Sequence, residues 1–171
     1  MIVLRKHNLA LLGFTVALLL FQTACYTFTG ASIPPAAKTV SVDFFPNKAP
    51  LVQPTLSQLF TERLKDRLSN QTRLSLVSSD GDLSFSGEIT GYSTAPEGIV
   101  AGEQVNNQRL TITVHVKFIN DKDSKLSYDA SFSRYASYPS IKNLSEVENE
   151  LIYQIVEQLT EDAFNKAVAA L

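Results

Sequence analysis

The 171-residue chain is short of the residues that most often announce chemistry: one cysteine, two histidines, one methionine and no tryptophan. A single cysteine, Cys25, leaves no intrachain disulfide framework. His7, His115 and that cysteine are too few for a metal cluster, so no metal site is expected. The sequence holds no G-x-S-x-G elbow, no glycine-rich phosphate loop, no H-E-x-x-H and no C-x-x-C. Catalytic residues are therefore expected to be none, and an enzyme is not expected. A surplus of positive charge is missing too. Fifteen Lys and Arg stand against 17 Asp and Glu, a formal net of −2, which excludes the polybasic footprint of a nucleic-acid binder.

What is present begins at the N-terminus. Arg5 and Lys6 precede thirteen mostly apolar residues, Leu9–Phe21, then Gln22-Thr23-Ala24 and Cys25. This is the layout of an export signal: charged head, apolar middle, small residues at the cut. A cysteine at the cut points to a lipoprotein, with diacylglycerol on its thiol and an N-acyl chain on its new amino terminus. Two other readings stand beside this one. As a transmembrane helix, Leu9–Phe21 would span about 20 Å, short of the roughly 30 Å hydrocarbon core. As an ordinary signal, the segment would leave Cys25 incidental, and Gln22 does stand where Leu is most usual. A lone thiol in an oxidising compartment favours modification. Removing residues 1–24 leaves 147 residues with 13 basic and 17 acidic side chains, a net of −4 and enough chain for one domain with a core.

Residues 25–37 read as a lipidated tether, with Gly30 and Pro34-Pro35 disfavouring regular structure. Residues 38–171 read as a single domain. Val40, Val42 and Phe44 alternate with Thr39, Ser41 and Asp43 in a half-buried strand. Residues 54–69 read as a helix with Leu56, Leu59, Phe60, Leu64 and Leu68 near one face. A short strand at 72–77 and a turn at 78–81 follow. Residues 82–95 alternate Leu83, Phe85, Gly87 and Ile89 against Ser84, Ser86, Glu88 and Thr90, with Gly87 and Gly91 allowing a bend or bulge. Residues 96–107 read as a loop. At 108–119, Leu110, Ile112, Val114, Val116 and Phe118 oppose Arg109, Thr111, Thr113, His115 and Lys117. A turn at 120–124 leads to a strand at 125–135. The C-terminus predicts an amphipathic helix over 145–168, with Ser145 and Glu148 at capping-box spacing. The sum is β-α-β-β-β-β-α. One-sided strands and two one-sided helices predict an α+β two-layer sandwich, a mostly antiparallel sheet of four to five strands covered on one face by two helices. Its other face is Ser/Thr-rich and must meet water or a hydrophilic partner.

Candidate contact residues lie on that polar face and at its rim. Arg109, His115 and Lys117 form a sparse basic stripe that suits phosphates or acidic sugars, or serves solubility alone. Glu88 and Asp129 are candidate cross-strand neighbours of His115. Arg134, Tyr135 and Tyr138 read either as an aromatic and cationic contact patch or as core and rim packing. Ile99-Val100-Ala101-Gly102 reads as a loop tip that inserts into a partner or is simply mobile.

Several stretches together resemble the LPS-assembly lipoprotein (LptE) family in its Bacteroidetes-type branch. They are Thr27-Phe-Thr-Gly-Ala-Ser-Ile-Pro34, Pro54-Thr-Leu-Ser-Gln-Leu-Phe-Thr-Glu62, Asp82-Leu-Ser-Phe-Ser-Gly-Glu-Ile-Thr90, Arg109-Leu-Thr-Ile-Thr-Val-His-Val-Lys-Phe118, Ser131-Phe-Ser-Arg-Tyr135 and Glu161-Asp-Ala-Phe-Asn-Lys-Ala-Val168. The resemblance implies an outer-membrane lipoprotein on the periplasmic face. Such a protein plugs a large outer-membrane β-barrel translocon (LptD-like) and helps it deliver lipopolysaccharide to the outer leaflet. It also implies two helices on a four-stranded or similar sheet, with Arg109, Lys117 and Arg134 as the best candidates for lipopolysaccharide contact. The absence of an acidic run after Cys25 favours retention on the inner side of the membrane. The alternative is a free-standing periplasmic lipoprotein that binds lipid or glycan without a barrel.

Overall fold

The computed structural model describes residues 37–51, 53–97 and 107–169. The export signal, Cys25, tether residues 25–36 and the 99–102 tip lie outside the described residues. In chain order the elements are β1 (Thr39–Val42), α1 (Leu56–Gln71), β2 (Ser75–Val77), β3 (Leu83–Glu97), β4 (Asn107–Asn120), a 3-10 turn (Ser124–Leu126), β5 (Tyr128–Pro139) and α2 (Leu144–Ala169). The strands form one sheet in the order β2-β1-β3-β4-β5. β1 runs parallel to both β2 and β3, whereas β3, β4 and β5 form an antiparallel meander. The expected α+β class, a mostly antiparallel sheet with two helices, is the observed one. The parallel pairs are the short ones. β1 and β2 are joined through α1, as a parallel pair requires a crossover.

Each helix packs through the stripe that its sequence predicts. α1 buries Leu56, Phe60, Leu64 and Leu68, spaced by four residues. α2 buries Leu151, Ile152, Ile155, Val156, Leu159, Ala163, Phe164 and Ala167. Facing them, β4 contributes Leu110, Ile112, Val114, Val116 and Phe118, each at most 1% exposed. Aromatic rings extend the core sideways: Phe85 lies 4.8 Å from Phe118, and Phe118 5.3 Å from Tyr128, between ring centroids. Phe45 packs 4.9 Å from Phe60. Its backbone N–H, buried with it, donates to Thr61 Oγ1 of α1 at 3.1 Å, so no polar group is stranded there.

The two glycines of β3 do different work. The β3–β4 register shifts between Ile89 and Gly91, so Ile89 and Tyr92 both face the core across a bulge. Gly87 has φ +155°, and a Cβ there would lie 2.0 Å from the His115 carbonyl oxygen and 2.7 Å from the Phe45 ring. Only a residue without a side chain fits there, between the His115 carbonyl and the Phe45 ring.

α2 starts one residue earlier than expected, and its capping differs from the Ser145–Glu148 reading. Asn143 precedes the helix, and its side-chain amide donates to Glu146 Oε1 at 3.1 Å. Glu148 instead accepts a hydrogen bond from the Tyr92 hydroxyl. Burial, then Glu148, pushes the Tyr92 pKa upward. This contact ties the upper half of β3 to the first turns of α2.

The register also defines two ends. Thr39, Asp82 and the Asn120–Ser127 turn lie at one, where β1 begins. Glu97, Asn107, Pro139 and Asn143 lie at the other. Fifteen residues of β3 separate the ends by about 50 Å.

Candidate functional site

Odd-numbered residues of β4 and β5 face away from the helices, because side chains alternate along a strand. This outer face carries Arg109, Thr111, Thr113, His115 and Lys117 on β4 and Asp129, Ser131, Ser133, Tyr135 and Ser137 on β5. Beside them on β3 stand Ser86, Glu88 and Ser93, in register with Lys117, His115 and Thr111. Among the described residues no element covers this face.

Four of the five sequence-derived contact residues meet here. The Arg109 guanidinium lies 5.4 Å from the centroid of the Tyr135 ring, a cation–π distance. Tyr135 is half exposed, so the pair presents a flat aromatic surface backed by a positive charge. His115 donates from Nε2 to Asp129, while Glu88 stands opposite it in the ladder. Lys117 holds the register position between Ser86 and Asp129. Thr113 and Ser133 share a hydroxyl hydrogen bond of 3.0 Å. The face is thus a hydroxyl field with a positive aromatic pair near the far end and a mixed-charge group near the other.

Arg134 does not join this group. It is even-numbered and points to the helix side, where its Nε and Nη2 bind both carboxylate oxygens of Asp162 at 2.6 and 2.7 Å. Asp162 pushes the guanidinium pKa up. Tyr138 is a core residue, 7% exposed. The patch of Arg134, Tyr135 and Tyr138 therefore divides into three environments.

Two further polar clusters escape the sequence reading. The Asp82 carboxylate accepts from the backbone N–H groups of Lys38 and Thr39 at 2.8 and 3.0 Å and from the Thr39 hydroxyl at 3.0 Å. Its other oxygen pairs with Lys122 Nζ at 2.6 Å. Lys122, then the Lys38 N–H, holds this carboxyl far below the usual carboxylate range. The cluster fastens the start of β1 to β3 and to the β4–β5 turn. Between the helices, Arg67 pairs with Glu157 at 3.1 Å and Arg63 with the same carboxylate at 3.5 Å. Asp66, Asn70 and Gln71 complete a shallow polar cleft of about 150 Å³ there. The described residues contain no group of three or more His, Cys, Asp or Glu placed to hold a metal ion. No helix among them is long and apolar enough to cross a membrane.

The family model for LptE, lipopolysaccharide-assembly, matches residues 37–167, the described domain almost end to end. The chain belongs to the LptE lipopolysaccharide-assembly family. LptE proteins are lipoproteins of lipopolysaccharide assembly and not enzymes. Solved structures share the fold at low identity. A minor lipoprotein from Acinetobacter baumannii is 15% identical with a TM-score of 0.51, over 78% of this chain and 94% of the other. A hypothetical protein from Chlamydia trachomatis is 13% identical with a TM-score of 0.54, over 79% and 98%. A Xanthomonas campestris protein is 13% identical with a TM-score of 0.51, over 83% and 90%. No curated protein sequence matches the chain.

Proposed function

We propose that this LptE-family chain is the outer-membrane lipoprotein that plugs and supports a β-barrel translocon inserting lipopolysaccharide into the outer leaflet. The observation that carries the reading is the division of one sheet into a sealed apolar face and a broad hydroxyl-rich outer face. A large barrel has a polar, hydrated interior, and a domain that sits there needs such an exterior. Acyl chains on Cys25 would hold the domain at the periplasmic face of the outer membrane, since two or more chains give stable anchoring. The tether would let the folded part reach the lumen. The role is physical: the domain occupies the lumen and keeps the barrel in an export-competent shape. Arg109 and Lys117 supply the positive charge for lipopolysaccharide phosphates. The free-standing lipid-binding alternative requires room between sheet and helices, and that layer is filled by Phe45, Phe60, Phe85, Ile152 and Ile155, each at most 1% exposed.

The test is a gentle detergent pull-down of the tagged full chain from outer membranes. The expected result is a large β-barrel recovered in near-equal amount, with lipopolysaccharide lost from the cell surface on depletion of the chain. Recovery of the lipoprotein alone, with surface lipopolysaccharide unchanged, would reject the reading.

A further inference from the structure

The sheet has two edges of very different character. β2, at one edge, is three residues long. β5, at the other, is twelve residues long and runs about 40 Å.

The direction of its backbone groups follows from the hydrogen bonds around β4. Asn120 donates its N–H to Ser127 Oγ at 2.9 Å, on the β5 side. The Thr113 carbonyl accepts from the Thr90 hydroxyl at 3.4 Å, on the β3 side. Even residues of β4 therefore turn their N–H and C=O to β5, and odd residues turn theirs to β3. Because Phe118 pairs with Tyr128 and Leu110 with Ala136, the even residues of β5 bond back to β4. The odd residues Asp129, Ser131, Ser133, Tyr135 and Ser137 point their N–H and C=O away from the sheet. All five are exposed, and among the described residues no strand pairs with them.

Proteins usually blunt such an edge with bulges, lysines, prolines or very short strands. β5 has none of these along its length. Its register with β4 is unbroken over every pair from Tyr128 to Pro139. It has no lysine, and its proline is the last residue. Its two charges are both occupied within the fold, Asp129 with His115 and Arg134 with Asp162. On the helix side the edge ends in Tyr128 and Phe132, both partly buried, with Lys166 Nζ 5.2 and 5.9 Å from their ring centroids. On the outer side it ends in serines.

We propose that β5 is a docking edge, and that the partner adds an extended strand to it by backbone hydrogen bonding. Only another backbone offers donors and acceptors at the two-residue repeat of this edge. The added strand needs apolar side chains on the helix side, over Tyr128 and Phe132, and small polar ones on the serine side. Wall strands of a closed barrel are paired on both sides and have no edge to offer, so the added strand is an extended segment of the barrel chain outside its wall, packing beside Lys166 over these rings. The inference rests on the proposed function for the source of this strand, the barrel partner.

The experiment is hydrogen exchange at single-residue resolution on the full chain, alone and in the purified barrel complex. The amides of Ser131, Ser133, Tyr135 and Ser137 exchange quickly in the free chain and slow by roughly tenfold or more in the complex. Their even-numbered neighbours, already bonded to β4, change little. Side-chain docking alone would not give this alternation. Ser131→Lys with Ser137→Lys keeps the ladder and the thermal unfolding temperature, yet lowers recovery of the barrel about tenfold. Ser131→Pro removes one outward N–H and acts in the same direction. A complex that forms with these amides still fast, or unaffected by the lysines, overturns the docking edge and leaves the plug reading standing. Slow exchange in the free chain, through its own tether or a second copy, overturns it as well. Failure of the wild-type chain to bind any barrel rejects both.

Discussion

Along β4, two neighbouring residues live in opposite worlds. Phe118 is 1% exposed between Phe85 and Tyr128, and Lys117, one residue earlier, stands on the outer face between Ser86 and Asp129. The even residues determine whether the chain folds. The odd ones are free to serve contact, because no packing depends on them. A family whose task is assembly and not catalysis needs this division more than it needs a cleft: one face made non-negotiable so that the other can be specified for a partner.

The comparison is broken most severely from the inner side. Phe118→Ala should cost about 3–5 kcal/mol in chemical denaturation, and an equal result for Lys117→Ala would erase the distinction between faces. Gly87→Ala should cost about 3 kcal/mol, since its Cβ would collide with the His115 carbonyl at 2.0 Å in a backbone conformation that side chains avoid. A near-neutral result would show that the β3 and β4 backbones shift apart to relieve the clash.

Asp82→Asn tests the start of β1 through pH. The folded carboxyl titrates below its unfolded value of about 3.9. Its contribution is therefore complete above that value and lost as pH falls through the lower folded one. The wild type should lose stability on acidification below about pH 4 more steeply than Asp82→Asn, as followed by circular dichroism. Identical slopes would mean that the cluster adds nothing to folding.

The smallest effect on folding should come from Arg109→Ala with Lys117→Ala, within about 0.5 kcal/mol. The same double variant should weaken lipopolysaccharide binding about tenfold, the loss of one charge-assisted contact or more. Full affinity retained would remove the outer-face cations from lipopolysaccharide contact.

Local pattern was enough for most of the elements. The two-residue rhythm of β4 and the four-residue spacing of α1 each record a face, and faces survive in sequence. In β5 the separation of Arg134, on the helix side, from Tyr135, on the outer face, came only with the structure, since the sequence reading groups both with Tyr138. What resisted reading were contacts between distant segments. Asp82 and Thr39 lie 43 residues apart, and nothing near either one marks the other. The bulge site was narrowed only to a pair of glycines, because Gly87 and Gly91 look alike until Phe45 is placed against one of them. At the start of α2, Glu148 is taken by Tyr92, far away in sequence, and Asn143 pairs instead with Glu146.

The Asp82 cluster gives the domain a mechanical character. With the anchor at Cys25 that the proposed function calls for, any pull would reach the fold at the first residue of β1. Because β1 lies parallel between β2 and β3, a pull on Lys38 along the strand axis loads both ladders in shear. Three hydrogen bonds from Lys38 and Thr39 to Asp82, braced by Lys122, sit at the point where the load arrives. The bonds share the force at once and do not open one after another.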